Sequence, residues 1–420
     1  MGSITTTPPF RVLILGGSYA GLSAALNLDD LCNNRVARCG KKPEDGEESR
    51  SPERTVAVDI TIVDERDGFY HLIGSPLALA SESYAEKAWV KYDNIPAIQS
   101  PNMRVVQGTV RSLDASLKVA TIAPHVGSEE MRLEYDYLVA ATGLRRAWPA
   151  VPQSLTRKQY LFEVGDHIRN VQDAKHGVVV VGGGAVGIEM AAELKLVQPE
   201  TQVTLVHSRD KLLSAEPLPE ETKDRTLEVV REAIGSSNVL MSHRLLSVHE
   251  AQIEGRSKCF DLKFDNGHSM KASEVIMALS KSVPTTTYLP QAAVDEEGYV
   301  KVHADLSFSG DIPNASSHFA VGDLAKWSGI KRCGSAMHMG YMAAVNIHQL
   351  FKQSLKESTP EFMKLDEIPP MIGLAVGKSA VAYWPEGGTK SGEDFMDAFF
   401  GKDLGFTICW NHLQLGTPAQ

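Results

Sequence analysis

Two glycine-rich turns of one design stand far apart in this chain, Gly16-Gly17-Ser18-Tyr19-Ala20-Gly21 and Gly182-Gly183-Gly184-Ala185-Val186-Gly187. Each follows an apolar run, Phe-Arg-Val-Leu-Ile-Leu before the first and four valines before the second, and each opens an alanine-rich helical stretch. Strand, tight turn and helix start together make a pyrophosphate cradle. The glycines let the backbone approach the anion, and the first helical N–H groups face it with the positive end of the helix dipole. A glycine signature is weak when isolated and strong in this context, and both contexts are present. One cradle implies one dinucleotide; two imply electron transfer between a pair of them. The first turn departs from the ideal at Ser18, which stands at the second signature glycine and whose hydroxyl can still donate to a phosphate.

The residue closing the second strand of each unit should meet the adenosine ribose. After the first turn that strand reads Asp59-Ile60-Thr61-Ile62-Val63 and ends in Asp64, a carboxylate able to accept from ribose hydroxyls. Asp64 lies beyond the usual spacing of about 20 residues. The charged, aperiodic stretch from Asn33 to Arg54 reads as an inserted surface loop, and its removal restores that spacing. In the second unit the strand Gln202-Val203-Thr204-Leu205-Val206 runs into His207-Ser208-Arg209 with no carboxylate. A 2′-phosphate is not repelled there, and Arg209 is a fork-shaped partner for one, so NADPH suits the unit as well as NADH. The alternative for Arg209 is an ordinary exposed arginine.

Further along, Tyr135 to Gly143 forms a strand finishing in Ala141-Thr142-Gly143, small residues that let a backbone pass close to a cofactor. The parallel strand of the second unit ends at Ser280, where a glycine would be expected. A third strand, His318 to Asp323, ends in Gly322-Asp323, and a helical run follows from Met339 to Phe351. The segment from Pro360 reads as two short strands joined by a turn, a cap on the first unit. Beyond it Phe395, Phe399, Phe400, Phe406 and Trp410 surround Lys402-Asp403. That aromatic density suits either packing or an apolar mouth for a quinone.

At 420 residues the chain exceeds one hydrophobic core. A net charge of −10 without a basic block argues against nucleic-acid binding. The five cysteines include no C-x-x-C pair and no zinc spacing, so neither a metal site nor a local redox disulfide is expected. The absence of a long apolar run or secretory layout points to a cytoplasmic chain. Met1-Gly2-Ser3-Ile4-Thr5-Thr6 fits the pattern for N-myristoylation of Gly2, which would give weak peripheral membrane contact.

Taken together, the two turns, Asp64, Ala141-Thr142-Gly143, Glu189, Glu193, the Gly322-Asp323 strand and the Lys402-Asp403-Leu404 tail resemble the two-dinucleotide-binding-domain flavoproteins. This is the pyridine nucleotide-disulfide oxidoreductase superfamily, and within it the apoptosis-inducing-factor-like and ferroptosis-suppressor-like group that lacks the redox disulfide. The resemblance implies an α/β fold of two Rossmann-like domains, glutathione-reductase-like, with a small α+β C-terminal segment. Residues 1–151 and 284–358 would bind FAD, 152–283 would bind NAD(P)H, and 359–420 would form the cap.

By the same resemblance Gly16, Ser18, Ala20 and Gly21 lie at the FAD pyrophosphate, Asp64 at its ribose, Val110 near adenine, Thr142 and Gly143 near the flavin, and Gly322 and Asp323 at the ribityl chain. Gly182, Gly184 and Gly187 cradle the nicotinamide coenzyme. Glu189 would orient the nicotinamide carboxamide, although a glutamate near a helix start also suits the dipole alone. Glu193 reads as an interdomain or surface carboxylate. Lys402 and His338 are candidates for the acceptor side.

The implied activity is hydride transfer from NAD(P)H to FAD and then to a quinone-like acceptor or oxygen. Two alternatives remain, a dehydrogenase or oxidase for a dedicated metabolite and a nucleotide-sensing flavoprotein with little turnover.

Overall fold

The structure, a computed structural model, describes residues 8–40, 55–127, 129–251, 258–279 and 281–419. The expectations placed on Gly2, on Ser280 and on the loop from 41 to 54 fall outside those residues.

The first unit is built on a seven-stranded sheet. Its parallel core runs in the order His318–Ala320, Tyr137–Ala140, Phe10–Leu15, Val58–Asp64, Met103–Asp114. Strands Val119–Pro124 and Met131–Glu134 extend it antiparallel. The central strands carry unbroken apolar runs because both faces are covered, which is what a parallel sheet requires. Helix Tyr19–Cys32 covers one side and packs along helix Cys333–Ser354. The Ser23 hydroxyl donates to the Met337 carbonyl at 2.6 Å, tying the two together.

The second unit has a four-stranded parallel sheet, Val239–Leu240, Val203–Val206, Val178–Val181, Glu274–Met277. An antiparallel meander of Leu245–Glu250, Phe260–Phe264 and Ser269–Ala272 shares a small apolar core with it. Helices Arg157–Gln172, Ala185–Val197 and Glu220–Ile234 contribute to a larger core that also takes in Tyr70 and Trp89 of the first unit and Ile372, Leu374 and Val381 of the C-terminal segment. The chain crosses between the units twice. The crossings pair with each other, Leu144–Arg145 antiparallel to Val283–Pro284, in a short ribbon.

The cap is a three-stranded antiparallel sheet, Ile372–Val376, Ser379–Trp384 and Gly388–Gly392, followed by helices Glu393–Phe399 and Phe406–His412. Its third strand has little apolar content and no sequence signature. The long helix starts at Cys333, six residues before the expected Met339, because Gly334 and Ser335 weaken the helical signal of its first turn. No helix among the described residues is long and apolar enough to cross a membrane, and no group of potential metal ligands is found among them.

Candidate functional site

Both glycine turns close at the C-terminal edges of their central strands and are built alike. Gly16 donates its N–H to the Val63 carbonyl at 2.7 Å and Gly182 to that of Val206 at 2.8 Å. Both glycines sit at positive φ, +107° and +127°, conformations a side chain resists. A Cβ on Gly182 would lie 2.9 Å from the Ala278 carbonyl oxygen, and one on Gly16 would collide with that of Ala141. Gly21 and Gly187 let their helices pass over the Gly16 and Gly182 carbonyls with no room for a methyl group. Nothing stands within 4 Å of a Cβ built on Gly184 or Gly143, so both positions are open. The donors and the open backbone fit two extended dinucleotides.

The ends of the second strands carry the difference between the units. Asp64 Oδ2 accepts from the Gly17 N–H at 2.7 Å, and Oδ1 accepts from the Arg66 N–H at 2.7 Å. Each oxygen keeps a second lone pair for a ribose hydroxyl. Burial pushes the Asp64 carboxyl upward against the opposing pull of Arg66. Tyr92 donates to the Gly17 carbonyl at 2.9 Å and fills the space a side chain at Gly17 would need.

In the second unit His207 takes the place of that carboxylate. Its Nδ1 accepts from the Gly183 N–H at 3.0 Å, which puts the ring proton on Nε2, 3.1 Å from the Ser214 hydroxyl. The imidazole is therefore neutral, and burial lowers its pKa. The sequence shows a missing carboxylate; the structure shows a neutral side chain holding the same turn. Arg209 is exposed beyond it, with long contacts of 3.4 Å from Nη1 to the Ser214 carbonyl and hydroxyl.

Where the units meet, Thr142 donates to the Thr285 carbonyl at 2.7 Å, and Gly143 accepts from the Thr285 N–H at 3.0 Å. Gly322 packs against Ala20, so the third strand end reaches the first turn. Asp323 follows it, its carboxyl raised by burial against Arg146 and Lys331. Ser18 caps helix Tyr19–Cys32 without a side-chain capping bond. Val110 lies three residues beyond Gln107, the partner of Asp64 in the sheet.

Glu189 is in the second turn of helix Ala185–Val197, not the first. The dipole explanation weakens accordingly, since that effect fades within one turn. Its Oε1 accepts from the Ala375 N–H of the cap at 3.3 Å. Burial raises its carboxyl to about 8, with the Ala375 N–H opposing and Glu193 adding to the rise. Glu193 is not a surface carboxylate: it is buried, and burial raises it to about 7.

The candidate acceptor residues are not brought together. Lys402 is exposed at the edge of a cavity under the cap. His338 is exposed on the second turn of the long helix of the first unit, its ring 6.1 Å from that of Tyr341. The aromatic tail divides. Phe406 is buried and stacks on Trp410 at 5.5 Å, whereas Phe399 and Ile408 are 46% and 43% exposed.

Sequence reasoning missed His71, which is fully buried. The Tyr19 hydroxyl lies 3.1 Å from its Nδ1 and the Leu404 carbonyl 2.9 Å from Nε2. It missed the neighbouring thiols Cys333 and Cys409 too, which 76 positions separate in sequence. No local spacing could signal either one.

Two linked Rossmann units with paired pyrophosphate cradles define an FAD- and NAD(P)H-dependent oxidoreductase. The chain belongs to the pyridine nucleotide-disulphide oxidoreductase family, whose sequence profile matches residues 10–340. Oxidoreductase OXR1 of Ajellomyces capsulatus is 50% identical over 419 residues, covering 99% of this chain and 90% of that protein. Human ferroptosis suppressor protein 1 is 26% identical over 346 residues, 82% of this chain and 81% of its own. NDH2 of Plasmodium falciparum shares the fold, with a TM-score of 0.66, 14% identity and 97% of each chain covered.

Proposed function

We propose that this flavoenzyme takes hydride from NAD(P)H onto FAD and passes the electrons to a quinone-like acceptor or to oxygen. The observation that carries the reading is the pair of matched cradles in two units joined by the Leu144–Arg145 and Val283–Pro284 ribbon. FAD supplies the two-electron chemistry when bound, and the protein positions it.

In this reading Gly16, Ser18, Ala20 and Gly21 hold the FAD pyrophosphate, Asp64 the ribose, Val110 flanks adenine, and Asp323 holds the ribityl chain. Gly182, Gly184 and Gly187 hold the coenzyme pyrophosphate. Thr142 and Gly143 line the crossing where the rings meet. Glu189, held by the Ala375 N–H and protonated near neutral pH, presents a neutral carboxyl that can both donate to and accept from the nicotinamide carboxamide. Neutral His207 leaves room for either coenzyme, and Arg209 swings from its long Ser214 contacts to a 2′-phosphate.

The acceptor side favours an apolar molecule because Phe399 and Ile408 are exposed on the two helices of the cap. The test is to reduce the FAD-loaded protein anaerobically with NAD(P)H and then add a short-chain quinone, oxygen or a panel of metabolites. Reoxidation fastest with quinone supports the reading. Reoxidation only by a particular metabolite would replace it with a dedicated dehydrogenase.

A further inference from the structure

Glu193 follows Glu189 by one turn on the face of helix Ala185–Val197 that turns toward the cap. It is 2% exposed, and its Oε1 has no hydrogen-bond partner. It lines a cavity of about 420 Å3 between that helix, the Gly377-Lys378 turn and the segment from Glu393 to Leu404. The floor is apolar, with Met396 and Leu404 buried, and the rim is exposed and charged. A space of this size holds several water molecules.

The titratable groups facing Glu193 come from every side. Glu189 shares its helix, Lys378 stands on the turn, Glu393 and Asp397 on the cap helix, Lys402 after it, and Tyr84 beneath. The nearby cations are on the exposed rim and do not bond the buried oxygen. A buried carboxylate with no donor is costly, so the group is a neutral acid with a free acceptor oxygen.

We propose that Glu193 is the proton-uptake residue of this enzyme, taking a proton from cavity water and passing it to Glu189, the residue assigned above to the nicotinamide carboxamide. The proposal rests on the oxidoreductase reading above and is indifferent to the acceptor. A hydride carries two electrons and one proton, whereas quinone going to quinol or oxygen going to peroxide takes up two electrons and two protons. The balance is NAD(P)H + H⁺ + acceptor → NAD(P)⁺ + reduced acceptor, and the second proton must come from solvent. Residues four apart on a helix have Cβ atoms about 5–6 Å apart, a separation two carboxyl groups span directly or through one water.

The buried pair of His71 and Tyr19 cannot serve. The His71 Nε2 faces the Leu404 carbonyl and must donate to it, and Nδ1 accepts from Tyr19, so the path ends on a backbone oxygen that passes no proton on.

The test compares native protein, Glu193→Gln and Glu193→Asp, each full-length and loaded with FAD. Proton uptake is followed with a pH-indicator dye during reduction by NAD(P)H and reoxidation by quinone. The native rate should fall as pH rises through about 7, where the donor loses its proton. Glu193→Gln should lose that limb, slow proton uptake at least about tenfold and change the solvent deuterium effect, and Glu193→Asp should restore part of the rate. Its NAD(P)H Kd should stay within about twofold, since the cradle is untouched.

Infrared titration should also show protonated carboxyl absorbance in native protein near neutral pH that is reduced in Glu193→Gln, the remainder belonging to Glu189. Proton uptake at the native rate in a folded Glu193→Gln protein, or an infrared band unchanged by the substitution, overturns the proposal. Failure of NAD(P)H to reduce native protein would instead reject the oxidoreductase reading, while the infrared result would still decide the state of Glu193.

Discussion

Substituting alanine at the first glycine of each turn should separate the two cofactors. Gly182 has φ +127°, and its new Cβ would sit 2.9 Å from the Ala278 carbonyl oxygen, a backbone atom that cannot swing away. Holding a side chain in such a conformation costs about 1–3 kcal/mol. The turn relieves the strain by moving, so the cost falls on coenzyme binding, and the NAD(P)H Kd should rise about 5- to 150-fold. FAD content should stay at the native level because the first cradle belongs to a different sheet. Gly16→Ala, at φ +107° against the Ala141 carbonyl, should do the reverse, losing FAD on dialysis. The assays are the flavin-to-protein absorbance ratio and coenzyme titration of whatever flavoprotein remains. Loss of FAD in Gly182→Ala with normal coenzyme affinity would refute the assignment of the two cradles.

Three further outcomes follow from particular bonds. Asp64→Ala leaves the Gly17 and Arg66 N–H groups without acceptors, about 1–3 kcal/mol for each buried donor, and should lower FAD retention more than Asp64→Asn does; full retention in the alanine variant would contradict the anchoring role. Arg209→Ala should raise the NADPH Kd about fivefold, the roughly 1 kcal/mol of an exposed ion pair, and leave NADH unaffected, whereas equal losses would remove its phosphate role.

Burial holds His71 down at about 4, below its unfolded value of 6.5, so between those pH values the unfolded chain binds the extra proton. Stability should therefore fall on acidification through that window by about 3 kcal/mol from this group. His167, also held near 4 by burial, acts in the same direction. The raised Glu189 and Glu193 act oppositely, losing stability as pH rises from about 4.5 toward 7–8. Denaturant midpoints for native protein and His71→Gln should show a flatter acid limb in the variant; identical limbs would refute it.

The cradles are legible in the sequence because strand, turn and helix start are contiguous, and each glycine has a local steric reason. Asp64 could be placed once the Asn33–Arg54 stretch was recognised as an insertion. His207 was visible only as the lack of a carboxylate, since its bond to the Gly183 N–H depends on the fold bringing the strand end beside the turn. Of the two readings of Glu193, interdomain or surface, its burial excludes the second, and the sequence does not show this because the Gly377 turn and the 393–404 segment that line its cavity lie about 200 residues away. The start of the long helix was hidden by Gly334 and Ser335, and the third cap strand by its lack of apolar alternation.

Anaerobic mixing of the FAD-loaded, full-length protein with NADH and, separately, with NADPH tests the central claim most directly. Paired cradles in one chain predict that the yellow flavin absorbance bleaches with at least one coenzyme, with one FAD bound per chain. A protein that binds no FAD, or a bound flavin that neither coenzyme reduces, would contradict it.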